Sequence, residues 1–393
     1  MKTAGIICEY NPLHKGHQLH IEKTRQAIGG EAAIICVMSG NFVQRGDFAI
    51  FNKHARAQMA VYSGADLVVE LPAAYTLQSA EGFARASVYI LDSLGICEYL
   101  SFGSESGDIE VLGDAAHAIS SERAHMITRE WLEKGVSYAT AQQKAADATL
   151  GKQADVFSSP NNVLGIEYIK ALRRYGSNII PITVKRTGGD HDSDTGYSAS
   201  ALRKSFLSGI LPAAFMPEAA VSVSKEEINS GRGPVSLKLA ELALLSRLRS
   251  INDFSDVPGA SEGLERRFMR YIKSESSINS ILSGVKTKRY TMSRIRRMLI
   301  NASLGIKSDD IKIDPPYARV LAMNSTGKIL LAKARKKTKL PIVTKPASVF
   351  KLNETAVKLF ELEAAATDLY VLAYQKEKER SGGQEWRRSP VII

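Results

Sequence analysis

The chain has 393 residues, of which 44% are hydrophobic and 24% charged, and 52 Lys and Arg residues outweigh 41 Asp and Glu residues. This length and apolar content exclude a disordered chain and are typical of a globular protein with two domains. No apolar run reaches the roughly 18 residues that a membrane-spanning helix needs, and the N-terminus lacks the layout of a signal peptide, so we expect a cytoplasmic protein without a membrane partner.

The positive charge is concentrated in the second half of the chain. Residues 1–210 contain 20 basic and 22 acidic residues, a net charge of −2, whereas residues 211–393 contain 32 and 19, a net charge of +13. Concentrated positive charge attracts polyanions, because each neutralised phosphate releases counterions. We therefore expect a nucleic-acid partner for the second half, with a general solubility bias as the alternative interpretation.

The first half alternates short apolar runs with amphipathic stretches, a pattern typical of a parallel sheet with helices on both faces. The predicted strands are Ala4–Cys8, Ala33–Met38, Leu67–Glu70, Tyr99–Phe102 and Ile179–Val184. The predicted helices begin at Gly16 and then span Asn52–Ser63, Ala80–Leu94, Asp108–Ile119, Asn161–Tyr175 and Ser200–Leu207. Ligands of such sheets bind beyond the carboxyl ends of the strands. The polar loops EYNPLHKG, SGNFVQRGD and FGSESGD should therefore line one rim.

The string LPAAFMPEAA, residues 211–220, predicts a domain boundary, and GRGP, residues 231–234, is a further break, because Pro and Gly cluster over these strings and the composition turns basic afterwards. The sequence thus predicts a Rossmann-like α/β domain over residues 1–212 and a basic, mainly α-helical domain over residues 213–393. In the second domain SLKLAELALLSRLRSI and LNETAVKLFELEAAATDLYVLAYQKE are the clearest helices, and residues 316–346 are mixed. The C-terminal string SGGQEWRRSPVII is expected to be a mobile tail.

The string LHKGH joins the first strand to the first helix and is the first candidate for chemistry. A helix N-terminus presents N–H donors to an anion, and imidazoles add directional donors. His14 and His17 flank Gly16, which lets the backbone approach a phosphate closely. Zinc is the competing interpretation because His20 follows three residues later, but His14 precedes the helix. We therefore predict a phosphate site and no metal site.

A second candidate phosphate site lies in YSASALRK, which begins at Tyr197. Ser198 or Ser200 can cap the following helix, and two cations follow in its opening turns, so that hydroxyls, N–H groups and positive charge converge. The predicted catalytic residues are His14, His17, Ser200, Arg203 and Lys204. The preceding string RTGGDHDSDTGYSAS is rich in Gly and Asp and is expected to act as a mobile lid.

Together these strings resemble a known family. The HKGH and SALRK segments are similar to those of the HIGH-motif nucleotidyltransferase superfamily, in which they bind ATP phosphates. More narrowly, IICEYNPLHKGH, VMSGNFVQRGD, FNKHARAQMA, SFGSESGDIE, SPNNVLGIEYIKAL and RYTMSRIRRMLI resemble the bacterial tRNA(Met) cytidine acetate ligases over nearly the whole chain. The resemblance implies a ligase that uses ATP to activate acetate as acetyl-adenylate. The acetyl group then passes to N4 of the wobble cytidine of elongator methionine tRNA, giving N4-acetylcytidine.

The resemblance also implies the substrates and an ATP site. ATP, acetate and tRNA are expected as substrates, and Mg²⁺ is expected with the triphosphate, although no Asp pair in the sequence identifies its ligands. The residues that match the ATP site of the family are Ile7, Cys8, Glu9, Tyr10, Asn11, Pro12, Leu13, His14, Lys15, Gly16, His17, Gln18, Leu19, His20, Gly103, Asn161 and Arg186. Asn162 fits the asparagine position equally well. Each of three residues also has a purely structural interpretation. Gly103 fits a turn after a strand, Asn161 fits a helix cap, and Arg186 fits a solvated strand end.

The string YTMSRIRRMLI repeats the residue pattern of YSASALRKSFL. It predicts a second capped helix with paired cations, which we expect to bind tRNA phosphates. The alternative is that good helix N-termini converge on such strings. The run KARKKTK is a further candidate for tRNA contact, or else a solvated loop. The predicted tRNA-binding residues are Lys286, Lys288, Arg289, Arg294, Arg296, Arg297, Lys336 and Lys337.

Several residues leave two interpretations open. Five residues are candidates to bind acetate or the target base: Asn41, Arg45, Asp47, Lys53 and Arg56. The alternative is that they belong to an exposed loop and an exposed helix. Cys8, Cys36 and Cys97 are far apart and suit buried reduced thiols.

Two other functions are compatible with the first domain. A small-molecule adenylyl- or cytidylyltransferase would look alike, but it would rarely need a long basic second domain. A non-catalytic nucleotide- and RNA-binding translation factor would not need both His14 and His17 beside the Arg203–Lys204 pair.

Overall fold

The computed structural model describes residues 1–186 and 198–393. Its strands are β1 Thr3–Cys8, β2 Ala33–Ser39, β3 Phe42–Val43, β4 Asp47–Phe48, β5 Leu67–Leu71, β6 Tyr99–Ser104, β7 Ile180–Lys185, β8 Ala318–Met323, β9 Ile342–Val343 and β10 Val391–Ile392. The helices of the first half are α1 Lys15–Ala27, α2 Lys53–Tyr62, α3 Ala73–Thr76, α4 Ala80–Ser93, α5 Ile109–Ile119, α6 Glu122–Glu133, α7 Tyr138–Leu150, α8 Pro160–Arg174 and α9 Ala199–Leu207. The helices of the second half are α10 Glu218–Asn229, α11 Glu241–Arg249, α12 Leu264–Ser274, α13 Ile278–Val285, α14 Met292–Leu304, α15 Ser325–Lys337, α16 Glu354–Val371 and α17 Gln384–Arg387. Among these helices, none is both long and apolar enough to cross a membrane.

The main sheet has the strand order β10-β8-β5-β2-β1-β6-β7, with β9 beside β8. Strands β5, β2, β1, β6 and β7 are parallel, and they are the five strands that the sequence predicts. Helices alternate with them, so the predicted Rossmann-like architecture is confirmed. The carboxyl ends of these strands meet at one edge, and we call the loops that follow β1, β2, β6 and β7 the rim.

Burial on both faces explains why the central strands are apolar throughout. All seven residues of β2 are buried. Ile35 and Val37 belong to one apolar cluster together with residues of α4 and α8, whereas Ile34 and Cys36 belong to a second cluster with residues of α1 and α2. Side chains of a strand alternate between faces, so each face receives its own helical layer. Burying one such side chain contributes about 1.5–3 kcal/mol.

The second half is mainly helical, as predicted, but it also supplies strands to the sheet. Strand β8 pairs antiparallel with β5, and both β9 and β10 pair parallel with β8. Strands β8 and β9 fall in the stretch 316–346, where the sequence pattern is mixed. The sheet therefore continues across residue 212, and the domain boundary there stays a prediction.

The C-terminal residues 381–393 are packed rather than mobile. They contain α17 and β10, and Glu385 of α17 is 1% exposed. Its carboxylate accepts a hydrogen bond from Lys53 Nζ at 2.7 Å, across a separation of 332 residues. The prediction of a mobile tail was wrong because its stabilising partners lie far away in sequence.

A buried cluster of five charged side chains joins the two halves. Lys53 Nζ lies 2.5 Å from Glu70, 3.0 Å from Glu363 and 2.7 Å from Glu385, and Arg319 also binds Glu385. Burial, opposed by Lys53, raises the pKa of Glu70 to about 8. Burial also disfavours ionised Glu385, but Arg319 and Lys53 outweigh it and lower its pKa to about 2. At neutral pH the cluster thus holds Glu70 as a neutral acid beside two cations and ionised Glu385, which limits the cost of burying charge.

We predict that Glu70 makes stability depend on pH. Between pH 4.5, the ordinary value for its carboxyl, and pH 8, the folded state keeps a proton that the unfolded state releases, so stability falls as pH rises. Glu70→Gln should weaken this decline in urea unfolding measured from pH 5 to 8. Glu361→Gln, an exposed change on α16, is the control. Identical slopes for Glu70→Gln and the unmodified protein would refute the assignment.

Candidate functional site

A buried arginine fastens the loops that follow β1 and β2. Arg56 is 0% exposed and donates hydrogen bonds to the carbonyl oxygens of Glu9 at 2.5 Å and Ser39 at 3.0 Å, and also to that of Gly40. The Glu9 carboxylate adds a second link, because it accepts from Ser39 Oγ at 3.0 Å and from the backbone N–H of Gln44 at 2.7 Å. The two loops therefore form one rigid part of the rim.

Burial corrects three assignments among the candidate acetate or base contacts. Lys53 and Arg56 are buried in ionic and carbonyl contacts, and Asn41 is 2% exposed, with its side chain bonded to Thr367 and to the backbone of Lys53. These three residues support the rim loops from the protein interior. Arg45 is exposed and Asp47 is half-buried, so they remain at the rim surface.

His14 and His17 form the start of α1. His14 caps the helix, its Nδ1 accepting from the backbone N–H of Gly16 at 3.1 Å, and His17 Nδ1 accepts from the backbone N–H of His14 at 3.3 Å. The two rings stack with centroids 3.7 Å apart. Because each Nδ1 is an acceptor, each neutral imidazole carries its proton on Nε2. The helix start thus places two Nε2–H groups at the positive end of the helix dipole, an arrangement suited to an anion.

His20 does not join this pair. Its Nε2 lies 3.0 Å from Ser101 Oγ, which in turn lies 2.6 Å from Thr24 Oγ1. Burial, reinforced by the charge of Arg186, lowers the pKa of His20 to about 4, so the ring is neutral at physiological pH. Within the described ranges, no three His, Cys, Asp or Glu side chains are placed to share a metal ion.

Gly103 and Arg186 lie side by side at the carboxyl ends of β6 and β7. The backbone N–H of Arg186 donates to Ser104 O at 2.9 Å, and a Cβ at Gly103 would lie 3.2 Å from Arg186 Cγ. Arg186 is exposed, and its Nε is 3.8 Å from a carboxylate oxygen of Glu105. A small residue at position 103 therefore leaves room for the arginine at the rim surface.

The two adjacent asparagines have different environments. Asn162 is 4% exposed, and its Oδ1 accepts from the backbone N–H groups of Glu105 at 3.0 Å and Ser106 at 3.1 Å. Asn161 is half-buried and donates from Nδ2 to the Glu105 carboxylate at 2.5 Å. Asn162 orders the loop after β6, whereas the side chain of Asn161 stands nearer the rim surface. Both lie in the predicted helix start, where sequence alone does not separate them.

Helix α9 packs against the loop of His14. Ser198 is its N-cap, with Oγ accepting from the backbone N–H of Ala201 at 3.1 Å, and Ser200 lies in the first turn. Arg203 Nη1 donates to Asn11 O at 2.7 Å, while Lys204 is exposed. The structure thus brings Arg203 to the loop that precedes the HKGH segment. Of the expected lid, residues 186–200, the part from 187 to 197 lies outside the described residues, and Tyr197 is included in that part.

Helix α14 reaches the same rim from the second half. Thr291 caps it, in the position that Ser198 has in α9, so the repeated pattern marks two capped helices. Gly46 packs on α14, where an added Cβ would lie 2.5 Å from the backbone N of Arg297. Arg203 and Arg296, which are equivalent in the repeat, both lower the pKa of Asp47 against the effect of burial. Arg296 of α14 also lines the same cavity wall as Asp47.

The other predicted tRNA contacts divide between two edges of the molecule. Near α14, Arg289 and Arg294 pair with Glu262 at 3.3 and 2.9 Å, and Lys288 is exposed. Lys286 Nζ donates to Tyr290 O at 2.7 Å. Lys336 and Lys337 are exposed at the end of α15, and Lys337 packs on Gly95, before the amino end of β6. KARKKTK therefore lies at the edge opposite the rim.

We predict that Asn162→Ala destabilises the fold more than Asn161→Ala. Asn162→Ala leaves two buried N–H groups without their acceptor, so the free energy of unfolding should fall by about 1–3 kcal/mol. Asn161→Ala removes a more exposed contact, so it should lower the free energy of unfolding by less. Chemical denaturation of both variants tests this order, and the reverse order would show that Asn161 is the residue that orders the loop.

Comparisons with known proteins agree with this geometry. A family model described as HIGH Nucleotidyl Transferase matches residues 1–385. The tRNA(Met) cytidine acetate ligase of Acetivibrio thermocellus is 39% identical over all of both chains, and that of Caldicellulosiruptor saccharolyticus is 40% identical over 100% of this chain and 99% of its own. The crystal structure of Thermotoga maritima TmcAL bound with alpha-thio ATP matches with a TM-score of 0.93 and 34% identity, covering both chains completely. The apo form of that protein matches with a TM-score of 0.95 and 33% identity.

The similarity extends over the whole length, and the rim has the histidine-bearing helix start that the name HIGH denotes. The chain belongs to the HIGH nucleotidyl transferases and, within them, to the tRNA(Met) cytidine acetate ligase family.

Proposed function

We propose that this protein is an ATP-dependent tRNA(Met) cytidine acetate ligase that forms acetyl-adenylate and acetylates N4 of the wobble cytidine. The observation that supports the proposal is the hydrogen bond from Arg203 to Asn11 O, which joins α9 to the loop before His14. The substrates are inferred from the name of the full-length relatives, which are tRNA(Met) cytidine acetate ligases.

The first step takes place at the α-phosphate of ATP. A carboxylate oxygen of acetate attacks the phosphorus, and the bond to pyrophosphate breaks. His14, His17 and the N-terminus of α1 stabilise the charge that builds on the phosphate oxygens, which is the largest contribution such sites make. Ser200, Arg203 and Lys204 hold the leaving pyrophosphate.

The rest of the nucleotide lies along the carboxyl ends of β6 and β7. Gly103 leaves space there, and Asn161 binds the base or ribose. Arg186 is a further ATP contact, and residues 7–20 supply the loop and helix of the ATP site. Mg²⁺ would bind with the triphosphate and offset part of its negative charge.

In the second step the N4 amine of cytidine attacks the acetyl carbon and AMP leaves. The target base must leave its stack to reach the rim, as single-stranded anticodon loops allow. The +13 charge of residues 211–393 and the position of α14 at the rim support tRNA binding there. We assign tRNA phosphates to Lys286, Lys288, Arg289, Arg294 and Arg297. Arg296 contacts the tRNA at the cavity wall that it shares with Asp47. Lys336 and Lys337 make a separate backbone contact at the far edge.

Pyrophosphate release from ATP tests this function. Purified protein is supplied with acetate, glycine, propionate or no carboxylate, each with and without bulk bacterial tRNA. Sustained release should require acetate and tRNA together, and N4-acetylcytidine should be recovered from the RNA. Release that ignores acetate would indicate a different acceptor, and ATP and RNA binding without release would indicate a non-catalytic protein.

His17→Ala should lower the rate of pyrophosphate release by about 10²–10³-fold, because it removes one of the predicted donors to the phosphate. His125→Ala is the matched control, since His125 is exposed on α6. Equal rates for the two variants would exclude His17 from phosphate stabilisation.

Binding of tRNA at increasing salt concentration tests the role of α14. The double variant Lys288→Gln/Arg294→Gln should bind more weakly, and each lost phosphate contact should reduce the slope of log K against log salt by about 0.7–0.9. Lys134→Gln/Lys144→Gln carries the same charge change directly after α6 and on α7 and is the control. A slope equal to that of the control would show that tRNA does not contact α14.

A further inference from the structure

A cavity of about 310 Å³ lies between the rim and the second half of the chain. Its walls come from β4, the segment 236–241, the start of α13 and α14. The side chains that line it are Asp47, Ser236, Leu237, Lys238, Glu241, Ser277, Asn279, Leu282 and Arg296. This volume is at the lower end of the range for small-molecule sites, and the lining is mostly polar. The cavity is therefore too large for acetate alone and suits a planar polar group with part of its backbone.

Asp47 connects this cavity to the ATP site. It is half-buried in the cavity wall, and its Oδ1 accepts from the backbone N–H of Phe48 at 2.8 Å. Burial raises its pKa, whereas Arg296 and Arg203 lower it. Arg203 in turn donates to Asn11 O in the loop of His14. One carboxylate thus faces the cavity and also interacts with an arginine of the phosphate site.

The chemistry of the lining matches the Watson–Crick edge of cytosine. That edge presents one donor, the N4 amine, beside two acceptors, N3 and O2. A carboxylate is the ordinary partner of the N4 amine, and an arginine donates to ring acceptors. Asp47 supplies the first group and Arg296 the second, and both line the same cavity. Glu241 also lines the cavity, and its Oε1 accepts from the backbone N–H of Ile278 at 2.8 Å.

We infer that the cavity is the acceptor-base pocket, in which Asp47 binds the N4 amine of the target cytosine and Arg296 binds its N3–O2 side. The inference rests on the proposed function and adds the residues that recognise the base. Adenylate formation needs only the ATP side of the rim, whereas acetyl transfer needs the pocket.

Acetyl transfer forms one bond and breaks another. N4 attacks the acetyl carbon of acetyl-adenylate and forms the new C–N bond. The bond from the acetyl carbon to the phosphate oxygen breaks, and AMP leaves with both electrons. The proton that N4 loses passes to the Asp47 carboxylate and from there to solvent. General base catalysis of this kind contributes about 10²–10⁴-fold.

Two half-reactions separate the pocket from the ATP site. Exchange of labelled pyrophosphate into ATP, driven by acetate without tRNA, reports adenylate formation. Acetyl transfer to tRNA in a single turnover reports the second step. For Asp47→Asn we expect transfer to fall at least 100-fold more than exchange. Asn279→Trp narrows the pocket from its exposed side and should show the same imbalance, while Met126→Trp, exposed on α6, is the control.

A binding measurement tests base recognition without turnover. Transcripts of the same tRNA with cytidine or uridine at the target position are compared. The Asp47 carboxylate accepts from cytosine N4–H but repels uracil O4, whereas an asparagine amide can donate to O4. Asp47→Asn should therefore reduce the preference for cytidine by about 10-fold or more, because one good base contact discriminates by about 1–3 kcal/mol.

The outcomes distinguish the inference from the proposed function. If exchange and transfer fall equally in both pocket variants, or if Asp47→Asn keeps the full preference for cytidine, the cavity is not the acceptor-base pocket. Neither result would contradict the proposed ligase function. A higher KM for acetate in exchange by Asn279→Trp would assign the cavity to the carboxylate instead and also overturn the inference. Absence of acetate-driven exchange in the unmodified protein would contradict the proposed function itself.

Discussion

The rim depends on the buried guanidinium of Arg56. Its contacts with the carbonyl oxygens of Glu9, Ser39 and Gly40 fix the ends of β1 and β2, from which the loops with His14 and Asp47 continue. A hydrogen bond to a charged group contributes about 1.5–3 kcal/mol, and a buried cation without such acceptors is far more costly. The loops are thus held in place by the requirement that this one charge be satisfied.

The site is shared between the two halves of the chain. The first half supplies the strand ends and the two helix starts that meet at the loop of His14. The second half closes the other side through α14, which packs on Gly46, and through the cluster around Lys53, which anchors α16, α17 and β8. Asp47 interacts with one arginine from each half. Activation and transfer can therefore take place at adjoining parts of one rim.

The features that sequence predicts well are those set by nearby residues. The apolar runs gave β1, β2, β5, β6 and β7, and the repeated YS and YT strings marked the caps of α9 and α14. The choice between Asn161 and Asn162, and the burial of Arg56, depend on which way a side chain points in a helix. The packing of the C-terminal residues depends on Lys53, 332 positions before Glu385. Such long-range partners leave no periodic signal in a single sequence.

The central claim is that the rim activates a carboxylate at the α-phosphate, and isotope transfer tests it most directly. Acetate labelled with ¹⁸O in both carboxylate oxygens is supplied with ATP and tRNA, and the nucleotide products are analysed by mass. AMP should contain one ¹⁸O for each acetyl group transferred. The acetate oxygen that attacks phosphorus stays bound to phosphorus when its bond to the acetyl carbon breaks. Label in inorganic phosphate together with ADP, or unlabelled AMP, would contradict it.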